Sequence, residues 1–277
     1  MGDADPANFG IDMEILSMYV DASDTDTEES IYRLRIGSQV KYVTIEPGTF
    51  PSDVLSFPMD LLPLLPPLPP GNWVQVRVMR GSDGNPTAQF MDVMLPEVRE
   101  QWHPNKVDDL SLPLVKIMTS RVRVVQYASR PVVAKIARFD FEIAQMERET
   151  VVYRAIDGRG VGPAFLGHIV EGDRVIGFLV EQVHGRPAGP EDLQGCHDAV
   201  QRLHAVDIIH GDPNKFNFRV ASDGTVTLID FENAVLCGSA EQKNEELIAL
   251  PAQLSETTGR GGVFIVDAEG ERLTNLN

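Results

Sequence analysis

His210-Gly211-Asp212-Pro213-Asn214-Lys215-Phe216-Asn217-Phe218, followed shortly by Leu228-Ile229-Asp230-Phe231-Glu232, is the stretch from which the rest of the chain is read. It brings a carboxylate, an amide and a second carboxylate together, with apolar residues between to fix the backbone. Gly211 and Pro213 flank Asp212 on a constrained loop, where a side chain is held at a fixed angle. A carboxylate so held can accept the hydrogen bond of an attacking hydroxyl and align its oxygen for in-line transfer. Asn217 offers a neutral oxygen and Asp230 a charged one, the hard donors that magnesium requires. His210 reads as a buried brace for the loop. Lys215 has two readings, an approach to the transferring phosphate or a position facing solvent.

The spelling HGDxNxxN followed by IDFE resembles the catalytic and metal-binding segments of the protein-kinase-like superfamily. The resemblance is to its aminoglycoside phosphotransferase and choline kinase branch, with its fungal kinase-like members; protein kinases carry HRD and DFG there. It implies an α+β, bilobal protein-kinase-like fold, with ATP and magnesium as cofactors. Asp212 then takes the catalytic position with Lys215 beside it, and Asn217 and Asp230 hold the metal. Val132-Val133-Ala134-Lys135-Ile136 resembles the strand whose lysine contacts the nucleotide phosphates and pairs with a helix glutamate. On that resemblance the partner of Lys135 is Glu149, with Glu147 and Glu142 as alternatives. Glu181-Gln182-Val183 matches the hinge, where backbone groups of Glu181 and Val183 would meet the adenine edge. Glu232 stands where DFG has its glycine, as fits a small-molecule kinase.

On this resemblance, residues 1–105 are expected to form a mainly β amino-terminal extension, 106–183 a kinase-like amino-terminal lobe, and 184–277 a kinase-like carboxyl-terminal lobe with the catalytic loop, and the periodicity along the chain fits that division. In the extension, Ile11–Val20, Ile31–Ile36, Val40–Ile45 and Trp73–Met79 read as strands, two of them alternating polar and apolar residues. The acidic run Asp21–Ser30 reads as a solvated loop, and Asp83-Gly84-Asn85-Pro86 as a turn between strands. Pro63, Pro66, Pro67, Pro69 and Pro70 are interleaved with leucines, so this segment is expected to pack against the body of the protein rather than dock a partner as a polyproline helix. Further on, strands are expected at Leu114–Met118, Val122–Tyr127, Pro131–Ile136, Phe165–Val170 and Arg174–Val180. Helices are expected at Phe141–Ile156, Pro190–Ala205 and Glu245–Leu254, and a last strand or tail at Gly261–Val266.

Two features depart from the family pattern. The hairpin Ile117-Met118-Thr119-Ser120-Arg121-Val122 has no glycine, so phosphates would be covered by the amides of Thr119 to Arg121, with charge from Arg121 or Arg123. Only residues 231–277 follow Asp230, a shortened carboxyl-terminal lobe that leaves a small or shared acceptor site.

A formal net charge of −17 argues against nucleic acid and anionic membrane as partners, since both are bound largely through Lys and Arg. The two cysteines suit a reducing compartment, and the acidic amino terminus is unlike a signal peptide; the expected location is the cytoplasm. The leading expectation is an ATP- and magnesium-dependent phosphotransferase acting on a small-molecule hydroxyl. A second is a pseudokinase, a nucleotide-binding scaffold for a protein partner or a homo-oligomer. A third keeps the scaffold but turns it to nucleotidyl transfer or an ATP-independent condensation.

Overall fold

The computed structural model describes residues 13–20, 27–69 and 71–259, with the backbone of Ile265–Val266 and Arg272–Leu273, which pair antiparallel. Residues 11–12, most of the acidic run (21–26), Pro70 and residues 261–264 lie outside the described residues. The chain is mixed α+β, with several sheets and few helices, and divides into two units. One runs as far as Pro96 and includes Arg138–Asp140; the other comprises Glu97–Ala137 and the chain from Phe141 onward.

The first unit is one sheet of β1 (Met13–Tyr19), β2 (Ser30–Ile36), β3 (Gln39–Ile45), β4 (Gln75–Arg80) and β5 (Pro86–Met91), in that order. A two-residue turn joins β2 to β3, and Gly37 at φ +60° supplies the left-handed backbone such hairpins need. Only β3 and β4 run parallel. A parallel neighbour requires a crossover, and this one contains two short helices absent from the sequence reading, α1 (Ser52–Ser56) and α2 (Pro58–Leu61). The crossover fills the core. Leu55, Leu61 and Leu68 are buried with Tyr32, Leu34, Val43, Ile45, Val76 and Val78 and Leu65 packs against them, so these leucines of the crossover serve packing, while Leu64 is exposed.

The second unit holds a six-stranded sheet in the order β6-β10-β11-β9-β8-β7. Its strands are β6 (Lys106–Asp108), β7 (Leu114–Ile117), β8 (Val122–Tyr127), β9 (Arg130–Ile136), β10 (Phe165–Glu171) and β11 (Arg174–Glu181), and α3 (Ile143–Ile156) lies between β9 and β10 in the chain. All neighbours are antiparallel except β6 and β10. Buried Ile143, Met146, Glu149, Val152, Tyr153 and Ile156 follow helical spacing along one face of α3. Gly177 of β11 crosses the backbone of β9 so closely that a Cβ there would lie 2.1 Å from the Lys135 carbonyl oxygen.

Beyond this sheet the chain continues through β12 (Arg186–Pro187), α4 (Leu193–His204), β13 (Ile208–Ile209), β14 (Phe218–Val220), β15 (Val226–Leu228), β16 (Val235–Leu236) and α5 (Ala240–Leu254). β14 pairs with both β12 and β15, and β13 pairs with β16. The expected helix from Pro190 starts as a 3-10 turn and becomes α-helical at Leu193. α5 starts five residues earlier than expected, at a capping box made by Ser239 and Gln242. No helix among the described residues is long and apolar enough to cross a membrane.

Candidate functional site

The β14–β15 hairpin aligns the two halves of the quoted stretch. Phe218 pairs with Leu228, and the Ile229 N–H donates to the Asn217 carbonyl at 2.9 Å, so Asn217 and Asp230 lie at the same end of one hairpin. His210 secures the loop to the following segment. Its Nε2–H donates to the Ile229 carbonyl at 3.1 Å, while Nδ1 faces the Asp212 N–H at 3.4 Å. A carbonyl can only accept, so these partners fix the neutral Nε2–H tautomer. Burial holds the His210 pKa below its ordinary value, in keeping with that assignment.

Gly211 permits the closest approach. At φ +81°, with a Cβ position 2.2 Å from the Asn233 carbonyl oxygen, no other residue fits there without displacing backbone. Asp212 itself is held by its neighbours: Asn214 Nδ2 donates to its carboxylate at 3.0 Å, and Asn217 Nδ2 donates to its carbonyl at 2.9 Å. The second bond commits the Asn217 nitrogen and leaves its Oδ1 as the atom able to ligate a cation.

Glu246 of α5, which the sequence reading passed over, supports this loop from below. Its buried carboxylate accepts from His204 Nε2 at 2.6 Å, the His210 N–H at 3.2 Å and the Gly211 N–H at 2.8 Å. Burial raises its pKa, but these donors outweigh that and hold it below the usual glutamate value.

Lys135 is the centre of the charged cluster. Its ammonium donates to Glu149, to Asp230 Oδ1 at 2.7 Å and to Glu232 Oε2 at 3.2 Å. Of the three candidate partners on or near α3, Glu149 is therefore the one that reaches the lysine. Glu147 instead accepts from the Arg99 N–H at 2.6 Å, and Glu142 is buried just before the helix. Burial would lower the Lys135 pKa, but three carboxylates outweigh it and raise it. Burial pushes Glu149 up to about 8 against the pull of Lys135, with the Asp230 charge adding to the rise. Asp230, in the left-handed region at φ +65°, resists burial through Lys135 and stays below the usual aspartate value. The carboxylates of Glu149, Asp230 and Glu232 present oxygens within 4.8 Å of one another.

Aromatic rings carry the packing from this cluster to the loop. Phe231 meets Tyr153 edge-on at 5.4 Å and His210 at 5.4 Å, and Gly162 leaves room for its ring.

Other expected residues take partners of their own. Arg121 donates through Nη2 to Glu232 at 2.6 Å and through Nη1 to Gln145 at 2.5 Å. The amides of Thr119 and Arg121 already have acceptors, Val122 O and Thr119 Oγ1, so the turn satisfies itself rather than offering those N–H groups outward. Arg123 is paired with Asp109. Lys215 sits in a 3-10 turn, from which its ammonium donates to the Glu256 carbonyl and lies over the Phe216 ring; it braces the segment after α5. The Glu181 N–H donates to Ala164 O at 2.9 Å, whereas the Val183 backbone has no partner among the described residues.

Compared with protein-family models the chain has no match, and no curated protein matches it either.

Proposed function

We propose that the second unit is a bilobal, protein-kinase-like phosphotransferase of the aminoglycoside phosphotransferase and choline kinase type, acting on a hydroxyl of a small molecule. One observation carries this reading. A buried lysine, a helix glutamate and an aspartate, from three separate stretches of chain, meet beside a loop that presents a second aspartate.

The donor set suits magnesium, because Asp230 and Asn217 Oδ1 are hard oxygen ligands. Bound metal would supply positive charge to the phosphates of ATP. Lys135 and Arg121 add fixed positive charge at the same place, and Glu149 orients Lys135. The unpartnered Val183 backbone suits the edge of an adenine. Asp212 accepts the hydrogen bond of the acceptor hydroxyl and directs its oxygen in line, while His210 and Glu246 hold the loop and take no proton.

The test is Asp212→Ala against a panel of hydroxyl acceptors. Phosphate transfer should fall by several orders of magnitude while nucleotide binding is retained. Transfer equal to that of the wild type would rule out the assignment. A nucleotide-binding scaffold without turnover is the second reading, favoured by the self-satisfied turn at Thr119–Val122. It predicts binding of ATP with no ADP formed by the wild type on any acceptor.

A further inference from the structure

We propose that Glu232 is an internal stand-in for a phosphate group, holding the two cations of the site against a polyphosphate ligand. The inference rests on the phosphotransferase reading and adds a regulatory contact to it.

A single oxygen, Glu232 Oε2, accepts from Lys135 Nζ at 3.2 Å and from Arg121 Nη2 at 2.6 Å. Carboxylate and phosphate oxygens compete for the same ammonium and guanidinium geometry. Glu232 thus stands where a phosphate oxygen would draw on both groups. Its placement is well defined: Arg148 Nη1 donates to the Glu232 carbonyl at 2.6 Å, and Gln145 holds the other arm of Arg121 at 2.5 Å. Arg121 belongs to the glycine-free turn between β7 and β8. With the Thr119 and Arg121 amides turned inward and the guanidinium bonded to Glu232, that turn is tied down across the site.

Charge points the same way. With Glu149 pushed up to about 8 by burial, Lys135 and Arg121 are balanced by Asp230 and Glu232, so the site already holds its own counter-charge and an anion has to displace it. Neutralising Glu232 releases Arg121 from its carboxylate, leaves Lys135 with Glu149 and Asp230, and removes one negative charge from the place where an anion binds. Glu232 and Arg121 are each about one-fifth exposed (22% and 20%), so the pair is open to exchange with a ligand from solvent.

The experiment measures binding of inorganic tripolyphosphate and of ATP in EDTA by isothermal titration calorimetry, with ATP plus magnesium measured in parallel. Glu232→Gln should bind both metal-free anions about tenfold tighter than the wild type, a difference of about 1.4 kcal/mol. Adding Arg121→Gln to that variant should remove the gain. Glu232→Asp withdraws the carboxylate by one methylene without removing its charge. It should give an intermediate gain, and it carries the test if Glu232→Gln fails to melt cooperatively. Unchanged or weaker anion binding by folded Glu232→Gln or Glu232→Asp, with wild type still binding ATP plus magnesium, overturns this inference alone. No binding of any probe by any protein, with or without magnesium, overturns the phosphotransferase reading and this inference together.

Discussion

Individual buried polar residues make the sharpest predictions. His168 is fully buried, and its Nε2 accepts from the His103 N–H at 3.2 Å, so the folded chain needs the neutral ring. Burial, with the charges of His103 and Lys106 adding, holds its pKa down to about 4 from 6.5. The unfolded chain therefore binds the extra proton between those values, and stability rises with pH from about 4 to 6.5 and is level above. The contribution reaches about 3 kcal/mol. The melting temperature of the wild type relative to His168→Gln should climb across that window, and a difference constant with pH would exclude the assignment. Glu246→Ala removes the acceptor of three donors at once, two of them buried (His204 Nε2 and the His210 N–H), which costs about 3 kcal/mol. It should also lower transfer by more than any loss of folded protein, measured as activity per folded molecule below the melting transition. None of this was legible in the chain. Glu246 stands among Glu241 and Glu245 on a helix, and a solvated acid has the same sequence signature as a buried one.

At the scale of elements, sequence and structure agree where a local rule acts. The strands Ser30–Ile36 and Gln75–Arg80 were readable to within a residue or two from their alternation of polar and apolar residues, but the alternation misplaced Arg33, which is buried rather than facing outward. β6 was not, because three residues carry no periodicity and its pairing with β10 is long-range. α1 and α2 were hidden by length and by the proline-rich segment that follows them. The Arg121–Glu232 pair is set by tertiary approach over 111 residues of chain, which no spacing rule reports. Gly177 looked like part of an apolar strand, yet its position decides how β11 crosses β9. Gly177→Ala would put a methyl group against the Lys135 carbonyl and the Ile136 Cα, at 2.1 and 2.8 Å. We expect a loss of about 3 kcal/mol or more, seen as a lower denaturant midpoint, together with a displaced Lys135 and weaker nucleotide binding. A wild-type midpoint in that variant would show that the strand crossing relaxes freely.

For the whole molecule, two units with separate cores each contain one of the two tryptophans, Trp73 in the first and Trp102 in the second. In a Trp73→Phe background the remaining fluorescence reports on the second unit. Saturation with ATP and magnesium at a hundred times the dissociation constant adds about 2.7 kcal/mol. The Trp102 transition should then rise by about 2–4 °C per kcal/mol, and Asp230→Ala should abolish the shift. No shift in either protein would count against a metal–nucleotide site. The acidity of the chain, a formal net charge of −17, was legible at once; the acceptor of the proposed transfer was not, because no motif in the sequence encodes it.

Glu246 and the Glu256 carbonyl have a practical consequence for anyone dissecting the protein. Every residue of the two motifs lies before Asn233, so a fragment ending there would appear complete on paper. It would lack the carboxylate beneath His210 and Gly211, and the carbonyl that anchors Lys215. The smallest piece worth expressing to test the proposed transfer therefore extends past Glu256, and an inactive shorter one would not count against the proposal.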